Sequence, residues 1–331
     1  MIGLYRRLRQ AGVLGLNDRN ANFIMRFNPR KLYPLVDNKI LCKSRLQAHG
    51  IAVPALLGEI NSQYEAGHLA QRLATLDQFV IKPASGSGGD GILVITQRSR
   101  AGLITAGGRV LNLPEIQYHV AGILAGMYSL GGQRDSAMIE ALVHTDPVLK
   151  RLAPEGVPDI RIIVYRGIPA MAMMRLPTRR SGGKANLHQG AIGAGIDLAS
   201  GTTLKAVMSD QVVEIHPDTS EPVEAFTLPD WPRLLEIAAR CHAAVPLGYL
   251  GIDMVLDRDH GPLVLEMNAR PGLAIQIANG AGLRKRLERI DRIRDLETLS
   301  VQERVDIGLQ LARDGWSSAP ASPRTSLAST A

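Results

Sequence analysis

The sequence predicts an α+β fold with antiparallel sheets, and three observations predict it. Residues 250–257 and 263–270 alternate between apolar and polar positions on either side of a turn, which is the pattern of a β-hairpin. Residues 159–165 and 170–175 read as a second strand pair, and residues 79–83 and 92–95 as a third, separated by a glycine-rich stretch. Helical spacing occurs elsewhere: Leu234, Ile237, Ala238, Cys241 and Val245 form one stripe after Asp230, the expected cap. Ser300 and Glu303 form a capping box opening a last helix that runs to about Asp314.

The first hairpin carries the most chemistry. Arg258, Asp259, His260 and Gly261 read as a four-residue turn, which pairs Asp257 with Pro262 and sets Asp253 directly opposite Glu266, with Cβ atoms roughly 5 Å apart. Like charges across a ladder repel, so a cation there is the economical explanation. Two carboxylates and the Asn268 amide form an all-oxygen set suited to Mg²⁺ or Mn²⁺ and not to zinc. A solvated acidic hairpin edge is the alternative.

The stretch between residues 83 and 92 points to phosphate. The strand 79–83 closes on Lys82, and Gly86, Gly88, Gly89 and Gly91 are four of the next eight loop residues after Pro83. Such a loop lets backbone N–H groups, including those of Ser85, Gly86, Gly88 and Gly89, approach an anion. The lysine precedes the glycines and no Gly-Lys-Ser/Thr follows, so this is not a Walker A loop. A flexible surface hairpin would have a similar sequence.

In the middle of the chain, a loop formed by Gly167, Ile168 and Pro169 would set Arg161 opposite Arg175, and two facing guanidinium groups need a counter-ion such as a triphosphate or an acyl phosphate. A two-residue loop would shift the register and lose the pair. Residues 178–201 are glycine-rich and carry Arg179, Arg180, Lys184, Asn186 and His188, which suggests a long substrate-facing loop.

The 331 residues are enough for two or three domains, and a 45% hydrophobic share indicates a folded globular chain. Two cysteines exclude a disulfide framework and a cysteine zinc site. A net charge of +7 raises the question of nucleic acid, yet 4% aromatics leave no base-stacking platform and no finger or helix-turn-helix spacing is present. Acidic small molecules or an acidic peptide are the expected partners, with no nucleic acid. Arg6, Arg7 and Arg9 lie in a short basic helix that is either a membrane-surface contact or a solvated face. The absence of a secretory signal or an apolar run of spanning length makes the cytoplasm the expected location. No Ser/His/Asp signature suggests a covalent nucleophile.

Taken together, Lys39 in Val36-Asp37-Asn38-Lys39, Lys82 before the glycine loop, the strand from Met138 to Val143, and the Asp253, Glu266, Asn268 set resemble the ATP-grasp superfamily. Within it, Asp159-Ile160-Arg161, Ala185-Asn186-Leu187-His188-Gln189-Gly190 and Glu266-Met267-Asn268-Ala269-Arg270-Pro271-Gly272 resemble the glutamate ligases that extend ribosomal protein tails, and the glutamate ligase-related group. The resemblance implies two lobes, each built on an antiparallel sheet, with ATP between them. It implies ATP contacts at Lys39, Lys82, Ser85, Gly86, Gly88, Gly89, Glu140, Ala141, Leu142, Val143 and Asp159, a Mg²⁺ (or Mn²⁺) site at Asp253, Glu266 and Asn268, and catalytic roles for Arg161, Arg175, Asn186 and Arg270. The implied activity is ATP-dependent joining of a carboxylate to an amine through an acyl phosphate, adding glutamate or another amino acid to an acidic peptide or small carboxylate. Phosphorylation of a hydroxyl, or nucleotide binding without catalysis, are the alternatives. The expected organisation is a short basic N-terminal extension (1–36), an N-terminal lobe (37–140), a C-terminal lobe with the metal site (141–290), C-terminal helices (291–316) and a disordered tail (317–331). ATP-grasp ligases usually carry a full α/β domain before the nucleotide-binding half, where about 36 residues stand in this sequence, and the acidic residues often found in the ribosomal-tail ligases are missing from 272–276.

Overall fold

The computed structural model describes residues 2–86, 88–209 and 211–316, so the expected tail at 317–331 lies outside the described residues. Thirteen strands among the described residues form two antiparallel sheets. The smaller holds β1 (Leu56–Ile60), β2 (Phe79–Pro83), β3 (Leu93–Ser99), β4 (Gly102–Thr105), β5 (Val110–Leu111) and β6 (Ala137–Glu140), in the order β1-β6-β2-β3-β4-β5. The larger holds β7 (Asp159–Tyr165), β8 (Ile168–Leu176), β9 (Ile192–Ile196), β10 (Thr203–Met208), β11 (Gln211–Val213), β12 (Tyr249–Asp257) and β13 (Gly261–Asn268), in the order β11-β10-β9-β8-β7-β12-β13. This is the α+β architecture of two antiparallel sheets that the resemblance implies.

Alternation along the strands decides what each face meets. On the smaller sheet, Phe79, Ile81, Ile95 and Ile139 are buried with Ile116, Val120 and Ile123 of the helix Leu113–Leu124. On the larger sheet, Ile160, Ile162, Val164, Ile252 and Met254 pack with Leu234, Leu235 and Ala238 of the helix Trp231–Ala244. The opposite face is apolar at one end only: Ile163, Tyr165, Met171, Met173 and Tyr249 meet Leu14, Phe23, Ile24, Leu283 and Leu287. The other end of that face carries charge instead. Asp159 pairs with Arg175, Arg161 with Asp253 and Asp253 with Glu266, so all five project the same way.

The N-terminal segment is built into this arrangement. Asn28 donates to the carbonyls of Tyr249 (2.7 Å) and Ala269 (2.9 Å) and accepts from the Tyr249 N–H (2.8 Å), tying the start of β12 to the chain just past β13. Arg19 donates to the Pro271 carbonyl at 2.7 Å, and Phe23 and Phe27 meet the Tyr165 ring edge-on.

The structure corrects five local expectations. The β12–β13 pairing sets Asp257 opposite Gly261, not Pro262, because the turn is one residue shorter; a bulge at Leu265 then restores Asp253 to its place opposite Glu266. Arg161 lies opposite Met173, and Asp159 opposite Arg175, because the β7–β8 turn is only Arg166-Gly167, both at positive φ, and a bulge at Ala170 then moves the register by one residue. Residues 178–201 are not all loop, since the buried strand β9 occupies part of them. The strand over 138–143 ends at Glu140, where Ala141 turns its N–H to the Ala55 carbonyl. Asp230 precedes its helix in a left-handed conformation and makes no side-chain cap. The Ser300–Glu303 capping box forms as expected, ahead of the helix Val301–Arg313.

One half-buried group beside this core sets a pH dependence. His242, on the helix Trp231–Ala244, has its pKa pushed down to about 4, chiefly by burial and further by Arg304 and Arg166. An unfolded histidine titrates near 6.5, so stability from this group is present at pH 7 and is lost as the pH falls through 6.5 towards 4. Lowering the pH from 7 to 4.5 should cost up to about 2.5 kcal/mol. His242→Gln should flatten that part of the urea-unfolding curve, and an unchanged slope would contradict the assignment.

Candidate active site

Two groups of charged side chains line the space between the sheets. The first lies on the smaller sheet. Val80 pairs with Glu140 and Lys82 with Met138, so Lys82 and Glu140 lie on one face a diagonal step apart. Lys82 Nζ sits 2.6 Å from Glu140 Oε2, and both side chains are buried. Glu140 Oε1 has the Nζ of Lys43 at 2.7 Å as an ion pair, without a well-aligned hydrogen bond. Lys43 also donates to the Pro54 carbonyl at 2.9 Å. Burial alone would raise the Glu140 pKa, but Lys82 and Lys43 hold it below the usual carboxylate value. Burial lowers the Lys43 pKa to about 8 against the pull of Glu140.

Lys43 is a member of this buried cluster that the sequence reading does not name. It sits one turn after Lys39 on the helix Lys39–Ala48, whose first N–H groups are capped by Asn38, and an i, i+4 lysine pair behind a capping Asn was the signal available. Lys39 faces the other way along the cleft: its Nζ donates to the Gly86 carbonyl and lies 3.6 Å from Glu266. It thus links the glycine loop to β13.

The second group lies on the charged end of the larger sheet. Arg161 donates to Asp253 through Nε to Oδ1 (2.6 Å) and Nη2 to Oδ2 (2.5 Å). Arg175 donates to Asp159 through Nε to Oδ1 (2.5 Å) and Nη2 to Oδ2 (2.6 Å), and Nη2 also reaches Asp253 Oδ2 at 2.7 Å. The two arginines therefore converge although they are not opposed, and their counter-ion is Asp253. Burial would raise the Asp253 pKa, yet Arg161 and Arg175 hold it well below the usual range. Burial, helped by the nearby Asp253 charge, raises Asp159 to about 6 despite Arg175.

Donor chemistry at β13 suits a hard cation only in part. Glu266 is half-buried beside Lys39, and Asn268 Oδ1 accepts from the Arg270 N–H at 2.8 Å. Both Asp253 oxygens already accept from guanidinium. Among the described residues, no three His, Cys, Asp or Glu side chains cluster as a metal set. Arg270 is engaged elsewhere, with its Nη2 2.9 Å from both Asp37 oxygens and its guanidinium over the Tyr33 ring.

The glycine loop is anchored at both ends. The Ser85 N–H donates to the Asp135 carboxylate at 2.9 Å, a contact no local sequence signal announces. At the far end the Gly91 carbonyl is bonded to His119, and a side chain at Gly91, which has φ +74°, would meet the Tyr128 ring at 2.6 Å. Between these anchors, Asn186 Nδ2 donates to the Gly88 carbonyl at 3.2 Å and Lys184 sits 3.4 Å from Asp90. Both contacts are exposed and therefore weak, which lets the loop part from the larger lobe. His188 is exposed, and its N–H donates to Asn186 Oδ1. Past Glu140, Ala141, Leu142 and Val143 run half-buried outside any strand until Thr145 bridges Asp257, forming the connection between the two sheets.

Comparison with known proteins adds to this geometry. The sequence profile of one family, described as sugar-transfer associated ATP-grasp, matches residues 18–292. Similar solved structures include the ATP-grasp ligase PsnB complexed with a minimal precursor, at 15% identity over 79% of this chain and 60% of that one, with a TM-score of 0.43. D-cycloserine synthetase DcsG shows 17% identity over 78% of this chain and 73% of that one, with a TM-score of 0.42. D-alanyl-alanine synthetase A from Vibrio cholerae O1 biovar eltor str. N16961 shows 12% over 80% and 63%, with a TM-score of 0.45. The chain spans about three-fifths of the length of PsnB. No curated protein matches it.

Proposed function

This chain belongs to the sugar-transfer associated ATP-grasp family, and from that premise we propose that it joins a carboxylate to an amine, with ATP converted to ADP and phosphate. The observation that carries the reading is the convergence, between the two sheets, of Lys39, Lys82, Arg161 and Arg175 with the glycine loop and the half-buried Glu266.

In this reading a substrate carboxylate oxygen attacks the γ-phosphorus of ATP, the bond to the β–γ bridging oxygen breaks, and ADP leaves. The amine nitrogen then attacks the acyl carbon, the acyl C–O bond breaks, phosphate leaves, and the nitrogen gives up a proton to complete the amide. The work is charge management and positioning. Lys82, fixed by Glu140, and Lys39, fixed by the Gly86 carbonyl, would offset phosphate charge. N–H groups of Ser85, Gly86, Gly88 and Gly89 would approach the phosphates as the loop closes and excludes water. Ala141, Leu142 and Val143 would present backbone edges to adenine, with Glu140 acting mainly through its lysines. Arg161 and Arg175 would turn from Asp253 towards the transferring phosphoryl group, with Asp159 orienting Arg175. Asn186 would serve on the acceptor side, while Arg270 would fix the β13 end through Asp37.

Glu266 and Asn268 would hold magnesium, joined by Asp253 once a ligand anion relieves it of the guanidinium groups; the ion would neutralise phosphate oxygens. Half-buried Lys184, beside the glycine loop, and exposed Arg180, next to Gly190, favour an acidic acceptor such as an acidic peptide or small carboxylate, with an amino acid as its partner. A cytoplasmic setting, where ATP is plentiful, goes with this reading; no described helix is long and apolar enough to cross a membrane.

The experiment is incubation with ATP, Mg²⁺ and a panel of amino acids and acidic peptides, read by mass spectrometry. A new amide with stoichiometric ADP supports ligation. A phosphate ester in its place makes the chain a kinase.

A further inference from the structure

The net charge of this protein is concentrated in two segments of its sequence. Residues 1–36 carry seven Lys and Arg against the single Asp18, a formal +6 of the total +7. Residues 284–294 carry six against Glu288 and Asp291, a formal +4, so the remainder of the chain sums to −3. These two basic segments touch. The Arg284 N–H donates to the Gly12 carbonyl at 3.0 Å, the Arg284 guanidinium pairs with Asp18, and Gln276 bonds both Leu14 and Leu283. Most of the cations face water: Arg6, Arg7, Arg9, Arg26, Arg30, Lys31, Lys285, Arg292 and Arg294 are exposed, and no carboxylate among the described residues forms an ion pair with them.

The same segment exposes apolar side chains. Residues 16–27 are helical and bury Phe23 and Ile24 against the larger sheet, yet leave Leu16 61% and Met25 70% exposed, and Leu8 is 44% exposed on the helix Ile2–Gln10. A fold that has Phe23 and Ile24 fully covered has no packing use for Leu16 and Met25 on the outside. Unpaired cations interspersed with exposed aliphatic residues are the composition of a surface that settles on an anionic lipid bilayer, where the cations meet headgroup phosphates and the aliphatic groups enter the acyl boundary. Nucleic acid would use the cations but not the aliphatic groups, and among the described side chains the face offers no array of exposed aromatic rings for bases.

We propose that the face formed by residues 2–31 and 284–294 is a peripheral docking surface for anionic membranes. The test uses the 331-residue chain with vesicles of phosphatidylcholine, with and without phosphatidylglycerol, read by co-sedimentation at low and high NaCl. Binding is expected to the phosphatidylglycerol vesicles alone and to weaken with salt. The variant Arg6→Glu/Arg7→Glu/Arg9→Glu should bind at least about 10-fold less tightly. The charge-matched control Lys150→Glu/Lys205→Glu/Arg233→Glu, on exposed cations elsewhere, should bind like the parent. Leu16→Ser/Met25→Ser should weaken binding at high salt, where the charge contribution is screened. All substituted positions are exposed, and unchanged thermal unfolding confirms that each variant is folded. The proposal is overturned by equal binding to neutral vesicles or by none to either. It is equally overturned by a control as impaired as the Arg6/Arg7/Arg9 variant, or by a duplex oligonucleotide that displaces the vesicles and binds Leu16→Ser/Met25→Ser like the parent.

Discussion

Glu266→Gln should slow ADP formation at least about 100-fold while leaving the protein folded, on the scale of removing one charge contact that acts in the transition state. The substitution keeps volume and removes the one carboxylate charge at the β13 site that no guanidinium already occupies. Its structural cost is small, because its partner Lys39 is 3.6 Å away and the glutamate side chain is 36% exposed; such a pair contributes about 1 kcal/mol or less. A parallel measurement of ADP release and of urea unfolding separates the two effects. ADP release at the parent rate with an acceptor present would show that Glu266 does not serve the phosphates.

Arg175→Met should destabilise the fold by about 3–5 kcal/mol, because it leaves the buried Asp159 carboxylate uncompensated and Asp253 with Arg161 alone. Among the described residues Arg175 is the only guanidinium bonded to Asp159 and the second on Asp253, and both aspartates are almost wholly inaccessible to solvent. The loss should depend on pH. Asp159 already sits near pKa 6 in the folded protein, above its unfolded value, so the folded state takes up its proton more readily than the unfolded chain. Removing Arg175 raises that pKa further, and protonation then relieves the buried charge. The deficit in urea midpoint should therefore be larger at pH 8 than at pH 5.5. A deficit under about 1 kcal/mol, equal at both pH values, would mean that the two aspartates find other partners.

How far the sequence led depended on whether a feature was local. The face shared by Asp253 and Glu266 was legible from alternation in a single hairpin. The bulge at Leu265 was not, since the turn and the bulge err by one residue in opposite senses and leave the same pairing. The β7–β8 register was misread because Pro169 was placed in the turn; it lies in β8 at a register shift opposite Val164, where a strand tolerates the missing N–H. Strand β9 was read as loop because of its glycines. Gly195 is there for a non-local reason: a side chain on it would come within 2.5 Å of the Ala278 carbonyl oxygen. The contact of Asp135 with Ser85 spans fifty residues and had no local signature. Lys82 and Glu140 are both legible in the sequence as candidate site residues, but their mutual ion pair and its third member, Lys43, needed the strand register and the helix orientation together.

The central claim is that a carboxylate is activated as an acyl phosphate. It is tested most directly by running the ATP- and Mg²⁺-dependent reaction with an ¹⁸O-labelled carboxylate substrate in the presence of hydroxylamine. Attack through a carboxylate oxygen carries one label into the released phosphate and leaves a hydroxamate of the substrate, which is the predicted result. Unlabelled phosphate with no hydroxamate, or a stable phosphate ester on a hydroxyl, would contradict it.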